Sequence, residues 1–353
     1  MNTASLTNTL RGLAAAALLA CGAGAHAASV ETFVMSVGGE SRLIPPFGCS
    51  TFGAPAPVMQ FFGAMPPGVP TEGLATCQVA GTFRHQVAPA GPIGDSTALN
   101  TTFNNTQPVP NTFQGDASAS ASSGRLAATA HAAFTGPSNS FTVEGSNAFG
   151  KFNETFTLHS PTHADGTAGL LVFGIQLAGE VRAAETSPFY AWADVELRYQ
   201  HNGGPIFTAM RASTDGTTPF IATLSEVSNT VGAVVNGFTL APRSVSGAGE
   251  ISTLALPFVF GTPFDFTLGL LAAGVPATDG ISTSTFEAFI SRIAPTVNGQ
   301  AVTDFSVLAA SGTPYGAGGV GAVPEAPAAW LFAAGGLALL ARRRYAARSD
   351  GVR

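Results

Sequence analysis

Charge is what this 353-residue sequence has least of: Asp, Glu, Lys and Arg make up 10% of it, and lysine occurs once, as Lys151. Globular chains average about a quarter charged residues. Little here resembles a cytosolic enzyme. Between residues 28 and 322, Lys151 and eight arginines stand against nineteen acidic residues, a net of −10. A surface of that sign repels nucleic acid, polyanionic saccharide and anionic lipid headgroups, so nucleic-acid binding is excluded. Cysteine is also scarce, with three residues and no C-x-x-C pair, which argues against a redox-active thiol. G-x-S-x-G, H-E-x-x-H, G-x-x-x-x-G-K and EF-hand patterns are all missing. No convincing amphipathic helix occurs outside the two terminal segments.

What is abundant is glycine (42), proline (24) and apolar residues (45%), enough for a core built of short strands and turns. Period-two alternation recurs from about residue 78. In "YAWADVELRYQ" (Tyr190 to Gln200), Ala191, Ala193, Val195, Leu197 and Tyr199 share one face, and Asp194, Glu196 and Arg198 the other, the pattern of a half-buried antiparallel strand. "FDFTLGL" places Phe264, Phe266, Leu268 and Leu270 together, and "HNGGP" (His201 to Pro205) marks a turn. The reading is an all-β chain, an antiparallel β-sandwich or jelly-roll-like arrangement, with a barrel as the alternative. Residues 28–115 are rich in proline and glycine, either a separate domain or an elaborated part of the same one, and 116–315 form the sandwich. "DASASASSGRL" (Asp116 to Leu126) reads either as a linker or as a strand with one tightly packed face.

Both termini carry the marks of export. Arg11, the apolar stretch Leu13 to Ala20 and Ala25-His26-Ala27 are the three parts of a secretory signal peptide, with cleavage expected after Ala27. The competing feature is "LLAC", which resembles a lipoprotein box that would lipidate Cys21. Once the signal is removed, Cys49 and Cys77 remain in an oxidising compartment and are expected to form a disulfide. Closing a loop of about 29 residues restricts the unfolded chain by roughly 3–4 kcal/mol. At the other end, residues 316–322 read as a glycine-rich linker. Ala328 to Ala341 then run without charge for about 21 Å as a helix, against a bilayer core of about 30 Å. Arg342, Arg343 and Arg344 would hold the cytoplasmic side. A buried core helix is the alternative for so short a run, but the glycine linker before it and the arginines after it favour a membrane segment.

Val323-Pro324-Glu325, a short apolar helix with Trp330 near its start, and an arginine cluster close to the C-terminus together resemble the PEP-CTERM sorting signal of exported Gram-negative proteins. The usual second proline is displaced by one position, Ala326 preceding Pro327. The resemblance implies passage across the inner membrane, transient retention there by residues 323–353, and processing by an exosortase-type enzyme near the Pro-Glu step. It also implies delivery to the cell surface or an extracellular matrix. "FNETFTLHSPTHADGTAGLLVFGIQLAGEV" and "VNGQAVTDFSVLAASGTPYG" resemble segments of the all-β portions of such proteins, which bears on fold more than activity.

Candidates for chemistry are few. His159, His163 and Asp165 in "HSPTHAD" have metal-ligand character, but Pro161 makes the segment a turn, so exposed loop histidines are expected and no metal or cofactor. Asp194 and Glu196 project from one strand face, which could serve a glycosidase pair but reads better as a solvated face balanced by Arg198. Tyr190 and Trp192 lie on or beside that face and could form an aromatic sugar platform. Asn100, Asn104 and Asn153 fall in N-x-[ST] sequences. The expectation is a non-enzymatic exported surface or exopolysaccharide-matrix protein, its partners the processing enzyme, transiently the inner membrane, and extracellular polysaccharide. The alternatives are a carbohydrate-binding module and, third, a secreted hydrolase.

Overall fold

The computed structural model describes residues 28–41, 77–89, 91–103, 110–136, 142–184, 191–276, 279–316 and 319–320. The expected signal peptide, Cys49, the expected sorting motif Val323 to Glu325, the apolar segment 328–341 and the arginine cluster lie outside them. All regular structure among the described residues is β. In chain order the strands are β1 (Ser29–Ser41), β2 (Cys77–Ala88), β3 (Ile93–Phe103), β4 (Asn111–Ser122), β5 (Arg125–Thr135), β6 (Thr142–His159), β7 (Ala168–Ala184), β8 (Trp192–His201), β9 (Ile206–Thr214), β10 (Pro219–Thr223) and β11 (Val227–Ser228). There follow β12 (Val234–Val235), β13 (Phe238–Ala241), β14 (Ser244–Ser252), β15 (Leu256–Val259), β16 (Phe264–Val275), β17 (Ile281–Val297), β18 (Gln300–Ala301), β19 (Ser306–Ala309), β20 (Tyr315–Gly316) and β21 (Gly319–Val320).

Two antiparallel sheets hold nearly all of them. The first has the order β11-β10-β9-β8-β16-β6-β1-β2, with β19 added to β6; the second has the order β12-β13-β14-β7-β17-β5-β4-β3, with β15 on β7 and β18 on β17. The chain passes between sheets at both edges, from β2 to β3 and from β11 to β12, which makes the body an antiparallel sandwich. Residues 28–41 and 77–103 supply β1 to β3 of these same two sheets, and Asp116 lies inside β4. "DASASASSGRL" is strand, turn and strand: Ala117, Ala119 and Ala121 point into the core and Ser118 and Ser120 outward. Part of the expected glycine linker belongs to the short β20–β21 ladder.

The core lies between the sheets and is aromatic. Phe173 stacks on Phe266 at 4.1 Å between ring centroids, Phe266 on Tyr199 at 6.1 Å, and Phe156 meets Tyr315 edge-on at 4.9 Å. Offset and edge-to-face contacts of this kind add to the apolar burial itself. The expected alternation places the right residues inward: Ala193, Val195, Leu197 and Tyr199 from β8, and Phe264, Phe266, Leu268 and Leu270 from β16, are all buried. Hairpin turns follow their sequences. Asn202-Gly203, Asn236-Gly237 and Asn298-Gly299 have positive φ at both positions, which suits the right-handed twist of the strands they join.

Candidate functional site

The alternation in β8 predicts one apolar and one solvated face, and here the structure differs. Asp194 is 5% exposed and Glu196 8%, so the outward face of the first sheet is buried at this point. The reason lies on the neighbouring strands, which a single-strand pattern does not report. β1, β6 and β16 carry Phe33, Met35, Phe149 and Leu271 on the outward side, all buried, so this sheet has apolar residues on both faces.

Charges set into such a face need partners, because burying an unpaired carboxylate is costly. β9 supplies them. Arg211 donates from Nε to Asp194 Oδ1 at 3.2 Å, and its Nη2 lies 3.2 Å from Asp194 Oδ2, a two-pronged grip. Arg198 Nη2 is 2.8 Å from Glu196 Oε1, which also accepts from Thr208 Oγ1 at 3.0 Å. A β-bulge between Leu197 and Arg198 shifts the β8–β9 register and so sets which β9 side chains face the carboxylates. Burial pushes the Asp194 carboxyl up from 3.8 to about 7; Arg211 pulls it down, Glu196 adds to the rise, and burial prevails.

A second ion cluster sits farther along the same face. Glu31 takes Lys151 Nζ at 2.5 Å and His85 Nε2 at 2.9 Å, and the His85 ring meets Phe33 edge-on. Gly269 is the residue between Arg198 and Lys151 in the ladder, so the two clusters are separated by a position without a side chain. Neither Arg211 nor the Glu31–Lys151–His85 group was legible as a site, since their residues come from four different strands. A glycosidase pair needs one carboxyl free to donate and another free to attack or activate water. Asp194 has both oxygens on Arg211, and Glu196 Oε1 is shared by Arg198 and Thr208.

Trp192 opens β8 half-buried, opposite Val275 and on the same side as Asp194. Tyr190 lies outside the described residues, so one half of the aromatic platform is placed. The "HSPTHAD" segment is a turn. His159 Nδ1 sits 3.2 Å from Asp165 Oδ1 with both side chains about half exposed or more, while His163 stacks on Phe260 at 5.6 Å. Among the described residues no group of three or more His, Cys, Asp or Glu side chains is arranged to hold a metal ion. Asn153 accepts a hydrogen bond from Thr267 Oγ1 at 2.8 Å, Asn100 is exposed, and Asn104 lies outside the described residues. Cys77 opens β2, and no disulfide is seen among the described residues, which do not include Cys49. Nor is any described helix long and apolar enough to cross a membrane.

Comparison with known proteins adds little. No family model matches the chain, and no curated protein does. Among solved structures, the KRT10-binding region domain of the pneumococcal serine-rich repeat protein PsrP aligns over 54% of this chain and 82% of its own, at 9% identity and a TM-score of 0.16. The structure of infectious bursal disease virus, Gx strain, aligns over 76% of this chain and 65% of its own, at 8% identity and a TM-score of 0.09. At such scores neither likeness carries an argument.

Proposed function

We propose that this protein is an exported, non-enzymatic component of the cell surface or the extracellular polysaccharide matrix, held for a time in the inner membrane by its C-terminal segment and released by an exosortase-type processing enzyme. The observation that carries the reading is the order of features at the C-terminus: Val323-Pro324-Glu325, an uncharged stretch from Ala328 to Ala341, then Arg342, Arg343 and Arg344. A helix of that length is at the lower limit for spanning, and the prolines at its entry keep the Pro-Glu step out of the helix, open to a membrane-embedded enzyme. Fractionation of cells with and without the processing enzyme, with intact mass measured on each product, tests the reading. The wild type should leave the inner membrane shortened by the C-terminal segment, and a Pro324→Ala/Glu325→Ala variant should stay there at higher mass. Identical mass and location in both strains would reject it.

The second reading, a carbohydrate-binding module using Tyr190 and Trp192, draws on the half-exposed Trp192 at the start of β8. Equal glycan binding by a Trp192→Ala variant would remove it.

A further inference from the structure

The outward face of the second sheet is the opposite of the first: small, hydroxyl-rich and open. Ser96, Ser118, Thr129 and Thr285 lie side by side across β3, β4, β5 and β17, and three of the four are exposed. At the end of this face, beside the β4–β5 turn, is a depression of about 220 Å³ lined by Pro92, Ser120, Ser122, Arg125, Glu287 and Phe289. The guanidinium carbon of Arg125 lies 5.0 Å from the centroid of the Phe289 ring, so one face of the cation is covered by the aromatic. Its Nε is buried and has no hydrogen-bond partner, and none of the ion pairs among the described residues uses this arginine. That nitrogen is closed to a ligand as it is to water, so what the depression presents is the terminal edge of the guanidinium, one of the few cations this chain has to place. The position is held firmly: Arg125 pairs in register with Ser122 and Phe289, and Ile290 N–H donates to the Gly124 carbonyl at 3.0 Å, tying the turn to β17.

We propose that this depression binds the carboxylate of a single uronic-acid residue within an otherwise neutral saccharide. The guanidinium edge offers parallel N–H donors that match a carboxylate, which a lysine would not. Ser120 and Ser122 present hydroxyls beside it, and Phe289 with Pro92 gives apolar contact for the C–H face of a sugar ring. Glu287 accepts hydrogen bonds from neutral sugar hydroxyls and repels a second carboxylate. The net charge of −10 over residues 28–322 likewise disfavours a polyanion, but its field is screened beyond about 8 Å at physiological salt, which leaves Arg125 to govern one carboxylate at contact. The choice of a saccharide over an acidic peptide rests on the proposed delivery to a polysaccharide matrix.

The test is calorimetric titration of the whole exported chain with cellobiouronate, with cellobiose, which lacks only the carboxylate, and with an acetylated Gly-Asp-Gly amide. Cellobiouronate should bind saturably and at least tenfold more tightly than either. Arg125→Gln should lose that tenfold without lowering the unfolding midpoint, Arg125→Lys should lose part of it, and Phe289→Leu, which keeps the apolar bulk, should weaken binding at least threefold. Equal binding of the two disaccharides, wild-type affinity in Arg125→Gln, or tighter binding of the peptide would overturn the proposal. A chain that is sorted and processed yet binds no uronate sinks this inference alone; one that binds uronate but is never processed sinks the sorting reading alone.

Discussion

Asp194 offers the sharpest test of how this structure manages charge. Its carboxyl is raised to about 7 by burial, against 3.8 for the same group in water. The folded chain therefore holds this proton more tightly than the unfolded chain does, so the associated stability is complete below about pH 4 and is lost as pH rises through about 7. A difference of about three pH units at 1.36 kcal/mol each gives about 4 kcal/mol as the ceiling, and because Arg211 is about half exposed and water reaches it, a measured loss of about 2–4 kcal/mol is expected. Asp194→Asn keeps the shape and removes the titration. Urea unfolding of both proteins at intervals from pH 4 to pH 8, followed by tryptophan fluorescence, isolates the effect in the difference between the two curves. The wild type should lose stability relative to the variant across that range and then level off. A difference that stays constant within about 0.5 kcal/mol would show that burial does not dominate, and a wild type that gains on the variant with rising pH would mean that the Arg211 pair outweighs desolvation.

Two further outcomes follow from packing. Phe266 is fully buried between Phe173 and Tyr199, so Phe266→Ala should cost about 3–5 kcal/mol in urea unfolding, whereas a cost below about 1 kcal/mol would place the centre of the core elsewhere. Gly237 and Gly299 occupy equivalent asparagine-glycine turns at φ +83° and +78°, yet a Cβ at Gly237 would meet the Ala248 carbonyl oxygen at 2.2 Å while one at Gly299 meets nothing within 4 Å. Gly299→Ala should cost the left-handed penalty of about 1–2 kcal/mol, and Gly237→Ala clearly more; equal costs would refute the steric reading.

The residues that were legible are those whose information is local. Alternation in β8 and β16 identifies Val195, Leu197, Tyr199, Phe266 and Leu268 as interior, and "HNGGP" identifies the turn at Asn202-Gly203, because both signals need only a few consecutive residues. What was not legible depends on registry between strands. Nothing near Asp194 in the chain announces Arg211, which reaches it only through a bulged hairpin, and nothing in β8 announces that Phe149 and Leu271 lie on the same side. The expectation of a solvated face failed for that reason. Arg125 left a faint signal, a lone cation after "ASASASSG" in an alanine-serine stretch, but its meaning required Phe289 to be brought opposite by the β5–β17 ladder.

The two sheets thus divide labour in a way their sequences only half declare. On the first, scarce charges are consumed in pairs within a buried, largely apolar outward face, so they stabilise or strain the fold and are poorly placed to meet a ligand. On the second, the outward side chains are mostly Ser, Thr and Ala, which present hydroxyls at the regular spacing of a β-ladder and demand little desolvation when a polar chain is laid across them. Docking a hydroxylated polymer on such a face exchanges water hydrogen bonds for protein ones at little net gain, so specificity must come from a few points where an interaction is otherwise unmade. Arg125 is such a point, since its guanidinium lines the depression and takes part in none of the ion pairs among the described residues. A saccharide laid on this body would therefore meet open hydroxyls on the second sheet, whereas on the first it would meet buried apolar residues and carboxylates already paired.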